Sequence, residues 1–350
     1  MKIEIKKLEK SEVQFDIVIP SKDFEKYHDK GFKKIQEVVS VDGFRKGNAP
    51  EDAITKNYGD MILLEEMANL ALRDAYMEAI KEHKIIPVAD PNVVIKKLAK
   101  GNDLELTITV PVMPEVTLPN YKKIGEEKSK EHTMETVTDK DIADVLEELR
   151  KGRAEKHHHD HEHKDGEKCE HTDEEKNLPE LNDEFAQSFG EEFKSLEDLK
   201  KKISENLKLE KSQKNTEKIR TAIIENLIKE SKAEIPEVMI EQELERMLGQ
   251  MKNDVARFGG KWEDYLTHSK KTEEELKKDW RLNAEKRTLS QLVLAEISLV
   301  EKIKPTDEEI ETELTRLLAT IQDLDEERAR GYIFQVLTNE KVLKFLEGNK

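Results

Sequence analysis

The chain has 350 residues, 36% hydrophobic and 39% charged, with 60 Lys and Arg against 77 Asp and Glu for a net charge of −17. This leaves less core than an ordinary globular chain of the same length, favouring two or three helix-rich domains over one compact enzyme globule, and the negative balance opposes general adhesion to nucleic acid or anionic lipid. A lone Cys169 excludes an intramolecular disulfide, Met1-Lys2-Ile3-Glu4 lacks the apolar stretch of a secretory signal, and apolar runs fall far short of the roughly 20 residues of a membrane span, so a cytoplasmic, membrane-free protein is expected.

Residues 1–113 read as a first domain. Apolar residues alternate at Val13, Phe15, Ile17 and Ile19, then at Leu104, Leu106, Ile108, Val110 and Val112, which predicts a half-buried antiparallel sheet. Between these runs Ser21 can cap a helix to about Val39, and Pro50 suits the first turn of a second helix to about His83. Two helices can then cover the apolar face of the sheet. Prolines at 87, 91, 111, 114 and 119 mark an extended exit, and residues 114–150 read as a linker with a short helix capped by Thr138 and carrying Ile142, Val145, Leu146 and Leu149.

Residues 151–177 contain no Phe, Tyr, Trp, Ile, Leu, Val or Met, so they cannot form a core and are expected to be disordered. This tract holds His157, His158, His159, His161, His163 and His171 with Cys169 among acidic residues, six of the ten histidines in the chain. Imidazoles and a thiolate suit zinc, nickel or copper, but the spacing matches neither HExxH nor paired CxxC and no core orients the ligands. A solvated hinge is the first reading; weak metal binding, with no cofactor required, is the second.

Residues 178–350 read as an all-α domain, giving an α+β chain: an N-terminal antiparallel sheet with two helices, then an extended helical region with arms. Leu196, Leu199 and Ile203, then Ile219, Ile223, Leu227 and Ile228, keep helical spacing within one long segment. Pro236 starts a helix with Ile240, Leu244, Met247, Leu248, Met251, Val255 and Phe258 on one side, ended by Gly259-Gly260. A third long helix runs from about Thr272 to Ile303, Thr306 caps a fourth to about Leu324, and a last apolar segment includes Ile333, Phe334, Val336 and Leu337.

The most informative stretch is Gly43-Phe44-Arg45-Lys46-Gly47-Asn48-Ala49-Pro50, between two predicted helices, where two glycines allow a tight turn presenting an aromatic and two cations. A plain helix connector with Phe44 tucked inward is the alternative from loop chemistry alone. The loop, with its strand–helix–loop–helix–strand context, resembles the ribosome-docking signature of the trigger factor family. Leu178-Pro179-Glu180-Leu181-Asn182-Asp183-Glu184-Phe185 through Phe189-Gly190 resembles that family's entry into its helical domain.

The resemblance implies an ATP-independent chaperone that docks beside the ribosomal exit tunnel, on a ribosomal protein and local rRNA, and shields nascent or unfolded polypeptides. Docking would fall on Gly43, Phe44, Arg45, Lys46, Gly47 and Pro50; Asn48 departs from the basic residue often found there. A homodimer of the free protein is implied by resemblance only. Client contacts are expected at Met247, Met251, Phe258, Phe334 and Leu337. Full-length family members carry a prolyl isomerase domain that residues 151–177 are too few to form, since a domain needs roughly 50 residues, so no enzyme activity is expected. A free holdase off the ribosome and a metal-binding protein are the rival readings.

Overall fold

A computed structural model describes residues 1–132, 136–159, 178–190, 192–321 and 324–348, with 154–159 described by backbone alone. In chain order the elements are β1 (Lys2–Leu8), β2 (Glu12–Ile19), α1 (Ser21–Phe24), α2 (His28–Val38), α3 (Glu51–Tyr58), α4 (Met61–His83), β3 (Asn92–Lys97) and β4 (Leu104–Pro111). Helices follow: α5 (Tyr121–Glu131), α6 (Asp139–His159), α7 (Asp183–Gln187), α8 (Leu196–Glu230), α9 (Glu237–Arg257), α10 (Trp262–Ser269), α11 (Glu273–Glu301), α12 (Asp307–Leu318) and α13 (Glu326–Leu346). They form two compact units, one of residues 1–119 with 228–303 and the other of 120–227 with 304–350. The division cuts across the segments expected from the sequence: α5 and α6 join the second unit, and residues 178–350 contribute to both.

In the first unit the sheet has the order β1-β2-β4-β3, antiparallel throughout. The two alternating runs are its central strands, in a register that sets Phe15 opposite Ile108 and Ile17 opposite Leu106, all four essentially buried. Ala68, Ala71, Ala75 and Ala79 of α4 share this core; alanine at three- and four-residue intervals keeps a smooth helix face. The edge strands β1 and β3 are additions to the sequence reading: β1 is broken up by charged residues and β3 is a short apolar run closed by Lys96 and Lys97, lysines that suit an edge that must resist pairing with other chains.

On the uncovered face, Asp16 joins all four strands. It accepts hydrogen bonds from Lys6 of β1 at 2.7 Å, Thr107 of β4 at 2.6 Å and Lys96 of β3 at 3.0 Å. These donors, Lys6 foremost, hold its carboxyl well below the usual carboxylate range.

Local chemistry corrects several helix boundaries. Ser21 does not cap: Pro20 holds the cap position and the Ser21 N–H donates to Asp103 at 2.8 Å. Pro50 likewise sits just before α3, its carbonyl accepting from Ala53 and Ile54. The helix expected to reach His83 breaks at Gly59, whose φ of +84° ends α3 before α4 starts. Thr272 and Thr306 both form reciprocal capping boxes, with Glu275 and Glu309. The fourth of the expected helices ends at Leu318, before Leu324. Helix α6 continues to His159, past the expected break at 151, because Arg153, Ala154, Glu155 and Lys156 are good helix formers. The rest of the tract lies outside the described residues.

The remainder of the first unit is a hairpin of α9 and α11, with α10 between them. Ile240, Leu244 and Ala284 form its core with Met247 and Trp280 packed against them. Its root is tied to the extended segment that follows β4 by paired backbone bonds between Thr117 and Lys232, and Glu237 binds both Arg281 at 2.5 Å and Lys10 at 3.4 Å.

The second unit gathers Leu146, Phe185, Ala186, Leu199 and Ile203 into one cluster and Ile310, Leu314, Ala329 and Ile333 into another. Helices α5 and α13 touch at Gly125, where an added Cβ would run into the Leu346 carbonyl.

Candidate functional site

The segment 39–50 is built from two successive tight turns. Phe44 N–H donates to Val41 O at 3.1 Å and Asn48 N–H to Arg45 O at 3.0 Å, with Gly43 at φ +85° and Gly47 at φ +87° as the third residue of each turn. A positive φ at that position is what a type II turn demands and what glycine supplies without strain. Among the described residues, no heavy atom beyond each glycine and its chain neighbours lies within 4 Å of where its Cβ would stand, so the glycines serve backbone conformation, not space.

Val41 and Ala49 fix the two stems in the core at 5% and 4% exposure, while Phe44 at the tip is 45% exposed. Arg45 and Lys46 are exposed, and among the described residues neither is drawn into an ion pair. Phe44 is therefore not tucked into its own domain, and the loop differs from a plain connector. Pro50 follows the second stem and directs the chain into α3.

The other candidate surface is dispersed. Phe258 at the end of α9 is 88% exposed, and with Met251, Val255 and Tyr265 it lines an open cleft of about 520 Å³ rimmed by Asp254 and Asp264. The turn beside it is held by Trp262, which stacks on Tyr265 and donates to Glu273 at 2.7 Å. Phe334 on α13 is exposed as well. Met247 and Leu337 are instead packed, Met247 into the α9–α11 core and Leu337 against the α12–α13 cluster. Exposed Leu282, Leu299 and Tyr332 escaped the sequence reading, because an isolated apolar residue on a polar face carries no periodic signal.

Among the described residues no group of three His, Cys, Asp or Glu side chains could hold a metal ion. His157, His158 and His159 are placed by backbone only, and His161, His163, Cys169 and His171 lie outside the described residues. No described helix is long and apolar enough to cross a membrane.

Comparison with known proteins covers both halves of the chain. A family model described as bacterial trigger factor protein matches residues 1–149, and the model of that protein's C-terminus matches residues 195–347. A trigger factor of Clostridium botulinum (strain Langeland) is 28% identical over 426 positions, covering 100% of this chain and 99% of the relative. A trigger factor of Thermoanaerobacter sp. (strain X514) is 30% identical over 396 positions, covering 91% of this chain and 90% of the relative. The 426 positions exceed the 350 residues here, so the Clostridium relative has residues this chain lacks. A solved structure, titled for promiscuous substrate recognition in folding and assembly activities of the trigger factor chaperone, has the same fold, with a TM-score of 0.62, 20% identity and 99% coverage of both chains.

Proposed function

Since the chain belongs to the trigger factor family, in a form without the middle domain, we propose that it works as an ATP-independent chaperone docked beside the ribosomal exit tunnel by Phe44, Arg45 and Lys46. The observation that carries the docking role is the loop itself: two glycine turns on buried stems hold an aromatic and two unpaired cations in solvent. An exposed aromatic beside cations suits a partner offering apolar surface and negative charge together, as a ribosomal protein with adjoining rRNA does.

Clients bind elsewhere, on apolar residues scattered over helices. Phe258 and Phe334 are the candidates exposure supports, and the half-buried Met251 lines the cleft beside Phe258; each supplies a small contact, so nascent or unfolded chains are held weakly and reversibly. Tethering at the exit raises the effective concentration of this surface around an emerging chain. Met247 and Leu337 support their own helix packing first.

The matched spans leave residues 150–194 between them, too few for a domain of roughly 50 residues, which supports a chaperone without prolyl isomerase activity. The protein acts in the cytoplasm, needs no metal, and self-associates when free. Dilution of an unfolded protein into buffer without nucleotide tests the central reading. Suppressed aggregation that survives exhaustive chelation, with no acceleration of prolyl isomerisation, is expected; absence of suppression at excess chaperone contradicts it.

A further inference from the structure

The tip of the loop is exposed, but its stems are tied down by two side chains outside the glycine-to-proline signature. Tyr58, the last residue of α3, donates its hydroxyl hydrogen to Ser40 O at 2.7 Å on the entering stem. Gln36, in the last turn of α2, holds the leaving stem twice. Its side-chain amide donates to Ala49 O at 2.8 Å. Its carbonyl, left without an intrahelical donor because the chain turns extended at Val39, accepts from Gly47 N–H at 3.0 Å.

Resting on the docking reading above, we infer that Gln36 and Tyr58 are positioning residues that hold the loop in its binding conformation before the ribosome arrives. A loop without these ties samples many conformations, and ordering it on binding opposes association. The two turns fix the tip locally, since each closes within four residues. They do not fix where the tip stands relative to α2 and α3. Only the bonds to Ser40, Gly47 and Ala49 do that among the hydrogen bonds of the described residues. The arrangement spans both stems, so each tie removes freedom that the other leaves.

The test uses the full chain as Tyr58→Phe and Gln36→Ala, each alone and on the Phe44→Ala, Arg45→Ala, Lys46→Ala background. Ribosome affinity is measured at fixed salt, with amide hydrogen exchange at Phe44 and Gly47. Each single substitution is expected to weaken docking about three- to tenfold and to speed exchange at the loop, the range one lost hydrogen bond allows. On the triple-alanine background, where docking is lost, each substitution is still expected to speed exchange at Gly47, because the ties hold the stems whether or not the tip can bind. Unchanged affinity in both single variants, while the triple variant fails to bind, overturns the inference and leaves the docking loop standing. Weakened docking with unchanged exchange at Phe44 and Gly47 also overturns it, since the loss would not then pass through the loop's conformation. Wild-type affinity in the triple variant overturns the docking reading and this inference together.

Discussion

The loop at 39–50 and the helices of α9–α13 both expose apolar side chains, yet they do so in opposite ways. The loop concentrates Phe44, Arg45 and Lys46 on a few residues whose backbone is closed by two turns and whose stems are buried. The helices spread Phe258, Leu282, Leu299, Tyr332 and Phe334 singly over separate positions. Fixed geometry suits one partner met repeatedly, whereas dispersed contacts on rigid helices suit many partners met briefly. Exposure alone therefore does not tell docking from client capture; the constraint on the backbone beneath it does.

The strongest way to break this contrast is to unfix the loop. Replacing Gly43 and Gly47 together by Val sets two β-branched residues at φ near +85°, each costing roughly 1–2 kcal/mol, and should weaken ribosome binding by about thirtyfold or more in an equilibrium binding assay. The helical region should resist sequence change on its surface but not at its backbone contacts. Gly125→Ala pushes a methyl into the Leu346 carbonyl and should cost about 1–3 kcal/mol by chemical denaturation. By contrast, Phe258→Ser with Phe334→Ser should reduce aggregation suppression only about two- to threefold, as expected when no single contact dominates. Equal loss from Met247→Ser would show that packing and not client contact is being read.

Smaller still is the effect of charge at the tip. Asn48→Lys should strengthen docking about twofold at low salt and lose that gain at high salt, since exposed charges are screened over about 8 Å at physiological ionic strength. Across pH 5–8 the second unit should keep constant stability from its depressed carboxylates. Lys211 leads in lowering the Asp141 carboxyl to about 2, and Lys341 does the same for Glu309, also to about 2. A carboxyl with a lowered folded value stabilises above its unfolded value near 4 and ceases to as pH falls towards 2. Thermal scans should thus stay flat from these groups above pH 5 and fall below pH 4.

Much of the fold was legible because its strongest signals are local. Alternation at Val13–Ile19 and Leu104–Val112 gives the central strands, and Thr272 and Thr306 mark helix starts by capping chemistry. The edge strands were not legible, since Ile3 and Ile5 alternate with charged residues on a largely exposed strand, and Val93-Val94-Ile95 is a run too short to show a period. Nor was the packing of α5 on α13, which joins residues more than 200 positions apart through the bare backbone of Gly125. Of the site, the Phe44 loop was legible as a composition no core would choose, but its ties to Gln36 and Tyr58 were not, because each looks like an ordinary helix-end residue. Periodicity could not sort Phe258 and Phe334 from Met247 and Leu337, since it marks a face without naming what covers it.

The most direct measurement is co-sedimentation with translating ribosomes, comparing the unaltered chain with the Phe44→Ala, Arg45→Ala, Lys46→Ala variant at low and physiological salt. Saturable binding by the former, lost in a variant that still melts cooperatively, is the expected result. Equal binding by both, or binding by neither, would contradict docking through this loop.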